Sequence, residues 1–384
     1  MAEFTFTEEQ KQLRAAVHKF CAENFDEPTL RRLMESDVTY DPAVWRRLGS
    51  ELGVLGMSVP EADGGVGGSL VDQAVAVEEF GAALGCGPLF GTVYLAIPAL
   101  VACPPSPARD DLLVTLVEGE RTAAVAVNDA AGVFDPRVGV TAVASGDSAV
   151  LNGTAKRVVD AGAADVVLVA AKGSDGVSLF AVDTVDAHRT VLVTMDLTRP
   201  QADVVFTDSP ARLLAGPAEA ERVITHALQV GSTLLAVEQV GAAQHMLDLS
   251  VEYAKSRLQF GRHIGSFQAV KHRLADMLVD LEHARSTAYH AVWALTDGSD
   301  DPALAVSIAQ ATCSAAFSRV AADSIQVHGG IGFTWEHQAH LYFKRAATDA
   351  ALLGSAEQHR ARVADLVLDS ATVDEPPRVA VGIA

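Results

Sequence analysis

The chain has 384 residues, about half of them apolar and a fifth charged, with a formal net charge of −20. That length exceeds one ordinary core and suits two or three domains of a globular protein. The acidity argues against a nucleic-acid partner and against loose attraction to an anionic membrane surface, though a local basic cluster can still hold an anionic cofactor.

Four cysteines, Cys21, Cys86, Cys103 and Cys313, form no C-x-x-C pair and have no zinc spacing with histidine, so no metal site is expected. They fit idle thiols in a reducing compartment. Met1-Ala2-Glu3-Phe4 carries no basic region before an apolar run, and no stretch approaches the roughly 20 uninterrupted apolar residues of a membrane span. The expectation is a cytoplasmic protein.

In chain order, residues 1–120 read as an α-helical domain. Thr7 to Gln10 (T-E-E-Q) fits a capping box, and Leu13, Val17 and Phe20 then recur at helical spacing. A second helical patch begins at Trp45. A glycine-rich loop spans Pro60 to Ser69, and another helix is expected from Leu70 to about Leu84. The loop matches neither G-x-G-x-x-G between strand and helix nor a phosphate loop, since no Lys-Ser/Thr follows.

Residues 121–215 have strand texture. Short β-rich runs are expected at Ala123–Val127, Ala149–Leu151, Val166–Ala170, Leu179–Val182, Val191–Val193 and Val204–Phe206. Asn152-Gly153 predicts a two-residue hairpin turn. The region reads as a small antiparallel β-barrel or sandwich.

Residues 216–370 read as a helical bundle. No proline falls between Pro217 and Pro302 or between Pro302 and Pro376. Breaks at Gly261–Gly265, Thr296–Pro302, Gly329–Gly332 and near Gly354 divide it into helical segments, enough for a four-helix bundle. Residues 371–384 read as a flexible tail.

Two stretches concentrate the chemistry. Tyr253 to Met277 gathers Lys255, Arg257, Arg262, Lys271 and Arg273 around a glycine-bearing corner. A helix beginning there would aim its positive dipole end at the corner, which suits a pyrophosphate. Taken alone, the stretch fits a solvated basic patch better. Gln326-Val327-His328-Gly329-Gly330-Ile331-Gly332-Phe333 brings three glycines together. Alone it fits a glycine-capped helix end, with His328 structural rather than an acid or base.

Together the two stretches resemble the acyl-CoA dehydrogenase family. Its R-x-x-F-G-x-x-I-x-x-F-Q run appears as Arg257 to Gln268, and its Q-x-x-G-G-x-G-(F/Y) run as Gln326 to Phe333. Leu55 to Glu61 (L-G-M-S-V-P-E) is similar to a further signature of that family. The likeness spans essentially the whole chain.

The resemblance implies FAD, held between the β domain of one subunit and the C-terminal bundle of its neighbour. By position, Arg257, Phe260, Gln268, Gln326, Gly329 and Gly330 would contact a neighbour's FAD. It also implies an acyl-CoA substrate and electron-transfer flavoprotein as acceptor. The reaction implied is α,β-desaturation, in which a carboxylate removes the α-proton and hydride passes to the flavin.

The sequence departs from the family at the base. The two positions that usually carry it hold Leu353 and Gly231, with Ser232 where an arginine commonly follows. The family's T-E-P-x-A-G-S-D run is eroded to Asn128–Asp135. Its W-(I/S)-(T/S)-N segment, which packs on the flavin ring, reads Arg157-Val158-Val159-Asp160. Glu238, Asp349 and Glu357 are the nearby carboxylates, and each reads as a surface or network charge. The leading expectation is a base-less subunit of a heteromeric acyl-CoA dehydrogenase whose homologous partner supplies the base. The alternatives are a homo-oligomeric enzyme with a relocated base, and a non-catalytic CoA- or flavin-binding structural protein.

Overall fold

The computed structural model describes residues 6–36, 38–127, 139–146, 148–298 and 300–368. The eroded run at 128–135 and the tail at 371–384 lie outside the described residues, apart from which the chain runs helices, strands, helices.

Six helices come first: α1 (Glu8–Asn24), α2 (Glu27–Met34), α3 (Pro42–Ser50), α4 (Leu70–Ala82), α5 (Ile97–Ala102) and α6 (Pro107–Val117). The capping box at Thr7 forms, with Gln10 N donating to Thr7 Oγ1 at 3.2 Å and Thr7 N donating to Gln10 Oε1 at 3.1 Å. A π-helical segment, Leu89–Ala96, leads into α5.

Among the described residues seven strands follow: β1 (Ala123–Ala126), β2 (Val140–Ser145), β3 (Ser148–Val159), β4 (Val166–Lys172), β5 (Val177–Asp183), β6 (His188–Val191) and β7 (Gln201–Ala215). Their order is β1-β4-β2-β3-β7-β5. A β4–β5 pairing closes the ring, and β6 lies on β7. The sheet is mixed rather than antiparallel: β1 runs parallel to β4, and β2 meets β4 in parallel at Thr141 and Lys172. Helical chain precedes β1, so no hairpin dictates its direction. The expected Asn152-Gly153 turn is absent. β3 passes straight through it with a register shift between Leu151 and Gly153, and the turn lies between Ser145 and Ser148. A Cβ at Gly153 would sit 2.2 Å from Gly139 O, so the glycine serves a close backbone approach inside the sheet.

The last region is α7 (Ala220–Ser256), a small hairpin of β8 (Leu258–Gln259) and β9 (Arg262–His263), α8 (Gln268–Asp297), α9 (Pro302–His328), α10 (Ala339–Asp349) and α11 (Ala356–Leu368). By length and composition α9 with its following turn could cross a membrane, but 61% of its apolar window is buried in the bundle, as befits a core helix.

One core joins the first helices to the bundle: Val17, Leu48, Phe80, Leu235, Val240, Phe317 and Val320 all belong to it. Each such side chain contributes about 1.5–3 kcal/mol by leaving water. α4 crosses α7 backbone to backbone, since a Cβ on Gly241 would lie 1.8 Å from Glu78 O. The buried Glu78 side chain also accepts from Arg14 at 2.8 Å, from Tyr289 at 2.6 Å and from Arg285, tying α1 and α8 to the crossing.

The β domain is fastened to the bundle by buried ions. Arg345 on α10 donates to Asp196 Oδ2 at 3.0 Å, Glu238 Oε1 at 2.6 Å, and Thr198 O and Oγ1 at 2.9 and 2.6 Å. Arg199 also donates to Glu238 Oε1 and stacks over Phe90 at 5.0 Å. Tyr94 OH donates to Glu238 Oε2 at 2.8 Å. Asp349 is fully buried, with Arg199 Nε 3.6 Å away, and neither of its oxygens receives a hydrogen bond from a described residue.

Charge decides how these groups titrate. Two arginines are balanced by Glu238 and Asp196, so a third carboxylate is surplus. Desolvation pushes Asp349 up to about 7 despite the attraction of Arg199, while the arginines hold Glu238 below the usual carboxylate range against its own burial. A carboxyl raised in the folded state favours folding at low pH, and that contribution is lost as pH rises from about 4 to about 7. Asp349→Asn should therefore gain stability over the parent by roughly 1–3 kcal/mol more at pH 8 than at pH 5. Urea denaturation at the two pH values measures this, and an equal difference at both would contradict the assignment of Asp349 as the surplus acid.

Candidate active site

Leu353 closes the turn after α10. It is 7% exposed, has φ of +56°, and its carbonyl accepts from His359 Nε2 at 2.9 Å. A cavity of about 340 Å³ faces it, walled by Phe90, Leu95, Val125, Arg157, Val159 and Leu352. No carboxylate is among the described residues that line this cavity. Thioester α-deprotonation needs a base within about 3 Å of the proton, so this wall cannot supply it.

The other base position is closed by packing. A Cβ on Gly231 would lie 2.4 Å from Leu95 Cδ2 and 3.2 Å from Tyr94 O. A carboxylate side chain there would have to displace Leu95.

The nearby carboxylates resolve differently. Glu238 and Asp349 belong to the buried ion network, and Glu357 is exposed, accepting from Arg360 at 3.3 Å. None of the three lines the cavity. The network is what sequence reading missed: Glu238 and Asp349 were visible as charges, but Arg199, Arg345, Asp196 and Tyr94 were not connected to them. Arg345 lies 107 residues from Glu238 and 149 from Asp196, so no local pattern connects them.

The segment Arg157-Val158-Val159-Asp160 gives the cavity an aliphatic wall. Arg157 has φ of +54°, and its backbone N donates to Asp203 Oδ1 at 2.8 Å. Asp160 turns inward to accept from Gly91 N at 2.8 Å, and burial raises its carboxyl to about 6. The segment itself carries no aromatic side chain.

The six residues expected to meet a neighbour's cofactor lie at one end of the bundle. Arg257 ends α7 and leads into the β8–β9 hairpin, with Phe260 at its tip, 90% exposed and at φ of +52°. Gln268 is the first residue of α8. Gln326 lies in the last turn of α9, which Gly329 terminates at φ of +65°, a conformation glycine adopts without a Cβ penalty. The two ends are held together by Ser250 Oγ donating to Ser324 Oγ at 2.8 Å and by Tyr253 packing on His328 at 4.6 Å between ring centroids.

All six are exposed. A Cβ on Gly330 would meet nothing within 4 Å, so backbone there is open to a ligand. A guanidinium, two carboxamides and open glycine backbone suit a dinucleotide's phosphates and polar edges. Phe333 and Trp335, 78% and 61% exposed, add an apolar rim. His328 is buried, and its Nδ1–H donates to Ser324 O at 2.7 Å.

Comparison with known proteins shows the family. Residues 7–120 match the acyl-CoA dehydrogenase N-terminal domain and residues 221–368 the acyl-CoA dehydrogenase C-terminal domain. The acyl-CoA dehydrogenase IpdE2 of Mycolicibacterium smegmatis is 37% identical over 357 residues, covering 93% of this chain and 98% of that one. Among solved structures, a variant of the Tcur3481–Tcur3483 steroid ACAD superposes with a TM-score of 0.85 at 33% identity, over 95% of this chain and 99% of that one. The ChsE4–ChsE5 complex from Mycobacterium tuberculosis gives 0.86 at 28% identity, over 97% and 100%. The chain belongs to the acyl-CoA dehydrogenase family, a family of FAD-dependent oxidoreductases.

Proposed function

We propose that this chain is the base-less subunit of a heteromeric acyl-CoA dehydrogenase, and that a homologous partner subunit carries the base and the flavin-ring contacts. The observation that carries this reading is an asymmetry. Both base positions are apolar and packed, Leu353 in its turn and Gly231 against Leu95, while the bundle-end residues stand exposed.

The family's reaction, α,β-desaturation of an acyl-CoA, uses FAD as hydride acceptor and a carboxylate to take the α-proton. In this reading Arg257, Gln268, Gln326 and the backbone at Gly329 and Gly330 hold the dinucleotide part of the partner's FAD, and Phe260 shields it from water. The domain division at about 120, 215 and 370 belongs to the same reading, as does a cytoplasmic location. Electron-transfer flavoprotein is its expected acceptor. The ChsE4–ChsE5 complex, a structural neighbour that joins two chains, supports an unlike pairing. Neither a relocated base nor a purely structural role has an observation in its favour.

Three outcomes are expected. The chain purified alone should not oxidise acyl-CoA, and the mixed oligomer should hold one FAD per pair of unlike chains, as read by flavin absorbance and native mass. A homo-oligomer that is active with one FAD per subunit would overturn the reading. Leu353→Glu should leave the isolated chain inactive, because a carboxylate restores neither an aromatic flavin wall nor space at Gly231. Arg257→Ala should weaken FAD retention by the assembled complex by roughly 1.5–3 kcal/mol, about 10- to 100-fold, for loss of a charge-assisted phosphate contact. Unchanged FAD affinity in an assembled variant would remove Arg257 from the cofactor site.

A further inference from the structure

Ala339 is the first residue of α10, so its backbone N–H has no acceptor within the helix. It donates instead to His337 Nδ1 at 3.1 Å. A backbone N–H only donates, so Nδ1 holds a lone pair and the ring proton sits on Nε2. The neutral imidazole is thus the side-chain cap of α10, a part that Ser, Thr, Asp or Asn usually plays. Unlike most of those residues, His337 can be disarmed in mild acid. Protonation turns Nδ1 into a donor, and two N–H groups then face each other across 3.1 Å. The ring is half-buried, so solvent protons reach it.

The surroundings of His337 resist that charge. From α9, the ring of His328 lies 4.4 Å away between centroids, and Tyr253 of α7 packs on His328 in turn. From α2, Glu27 and Arg31 act on His337, but Arg31 already donates to Glu27 Oε1 at 2.7 Å. From α10, His340 adjoins it, with Lys344 beyond on the face of Trp335. α7 also supplies His245, whose Nε2 lies 3.1 Å from Oε1 of the neighbouring Gln338. The N-terminal end of α10 adds its own partial positive charge. Burial first, then His328 and Arg31, hold the His337 imidazole below its ordinary range against the pull of Glu27. His340, desolvated and beside Lys344 and Arg31, is pushed down to about 4 and stays neutral in mild acid.

We infer that His337 is a proton-operated cap: neutral, it fixes the start of α10 and the turn before it, and protonated, it lets both loosen. The segment it governs carries Gly329 and Gly330 ahead of the cap and Arg345 within α10. A histidine whose pKa is lowered by folding contributes stability that is whole above about 6.5 and is lost as pH falls through the folded value. The cap is therefore closed at neutral pH and open in mild acid. That sign is opposite to the one derived for Asp349. The inference rests on this chain's own hydrogen bond and not on the heteromer reading.

Hydrogen–deuterium exchange of the full chain at about pH 7.5 and about pH 5, corrected for the intrinsic rate, reads the segment directly. Amides of residues 329–342 should exchange about fivefold faster in acid, the size of one helix cap. His337→Asn keeps an acceptor but takes up no proton, so it should stay protected at both values. His337→Ala has no cap and should exchange at the faster rate at both. Acid-enhanced exchange that persists in His337→Asn, or is absent from the parent, overturns the proposal. Should a variant not fold, the parent decides alone: faster exchange in acid confined to residues 329–342 supports the cap, and faster exchange spread across the whole bundle overturns it.

Discussion

The guanidinium of Arg345, lodged between Asp196 and Glu238, is the contact on which the site's geometry depends. It joins the loop before β7 to α7 and sits on α10; α7 carries Gly231, and the turn that follows α10 carries Leu353. Buried ion pairs contribute little net stability when whole, but removing one partner costs several kcal/mol because the other is stranded. The walls of the first cavity are thus fixed from outside it. Arg199 extends the same network to Phe90, which lines that cavity.

The interior and the surface of this chain have separate chemistries. Inside, the acid and base groups face one another: the arginines pair with Glu238 and Asp196, and desolvation pushes the Asp349 carboxyl up to about 7. Among the described residues no carboxylate lines the cavity beside Leu353. At the bundle end, Arg257, Gln268 and Gln326 project into solvent beside exposed aromatic rings. Exposed polar groups beside exposed apolar rings are what a docking partner would use.

The succession of helices, strands and helices was legible because it rests on local signals: proline-free intervals, the Thr7 capping box and β-branched runs. The two motifs were legible because each is contiguous, and the structure brings them to one end of the bundle. Pairings across long separations were not. Arg345 reaches Glu238 across 107 residues and Asp196 across 149, distances over which no periodicity speaks. The misread Asn152-Gly153 shows the same limit. The dipeptide is compatible with a turn, but β7 pairs along β3 on both sides of it and keeps the strand running. The parallel β1–β4 pair likewise follows from how the barrel closes, which no single strand encodes.

Leu353 carries the argument one step further. A branched side chain at positive φ is strained by roughly 1–2 kcal/mol and persists only where its surroundings over-determine it. Catalysis cannot be the reason here, since the side chain has no proton to move. The surroundings that hold it are plain: His359 donates to its carbonyl, Gly354 follows at φ of +104°, and its side chain separates two cavities. The turn that aims a base in this architecture is therefore maintained by packing and hydrogen bonding around it. A subunit can give up the carboxylate and keep the frame, which is the physical condition for a base-less chain to fold as a close structural counterpart of an active one.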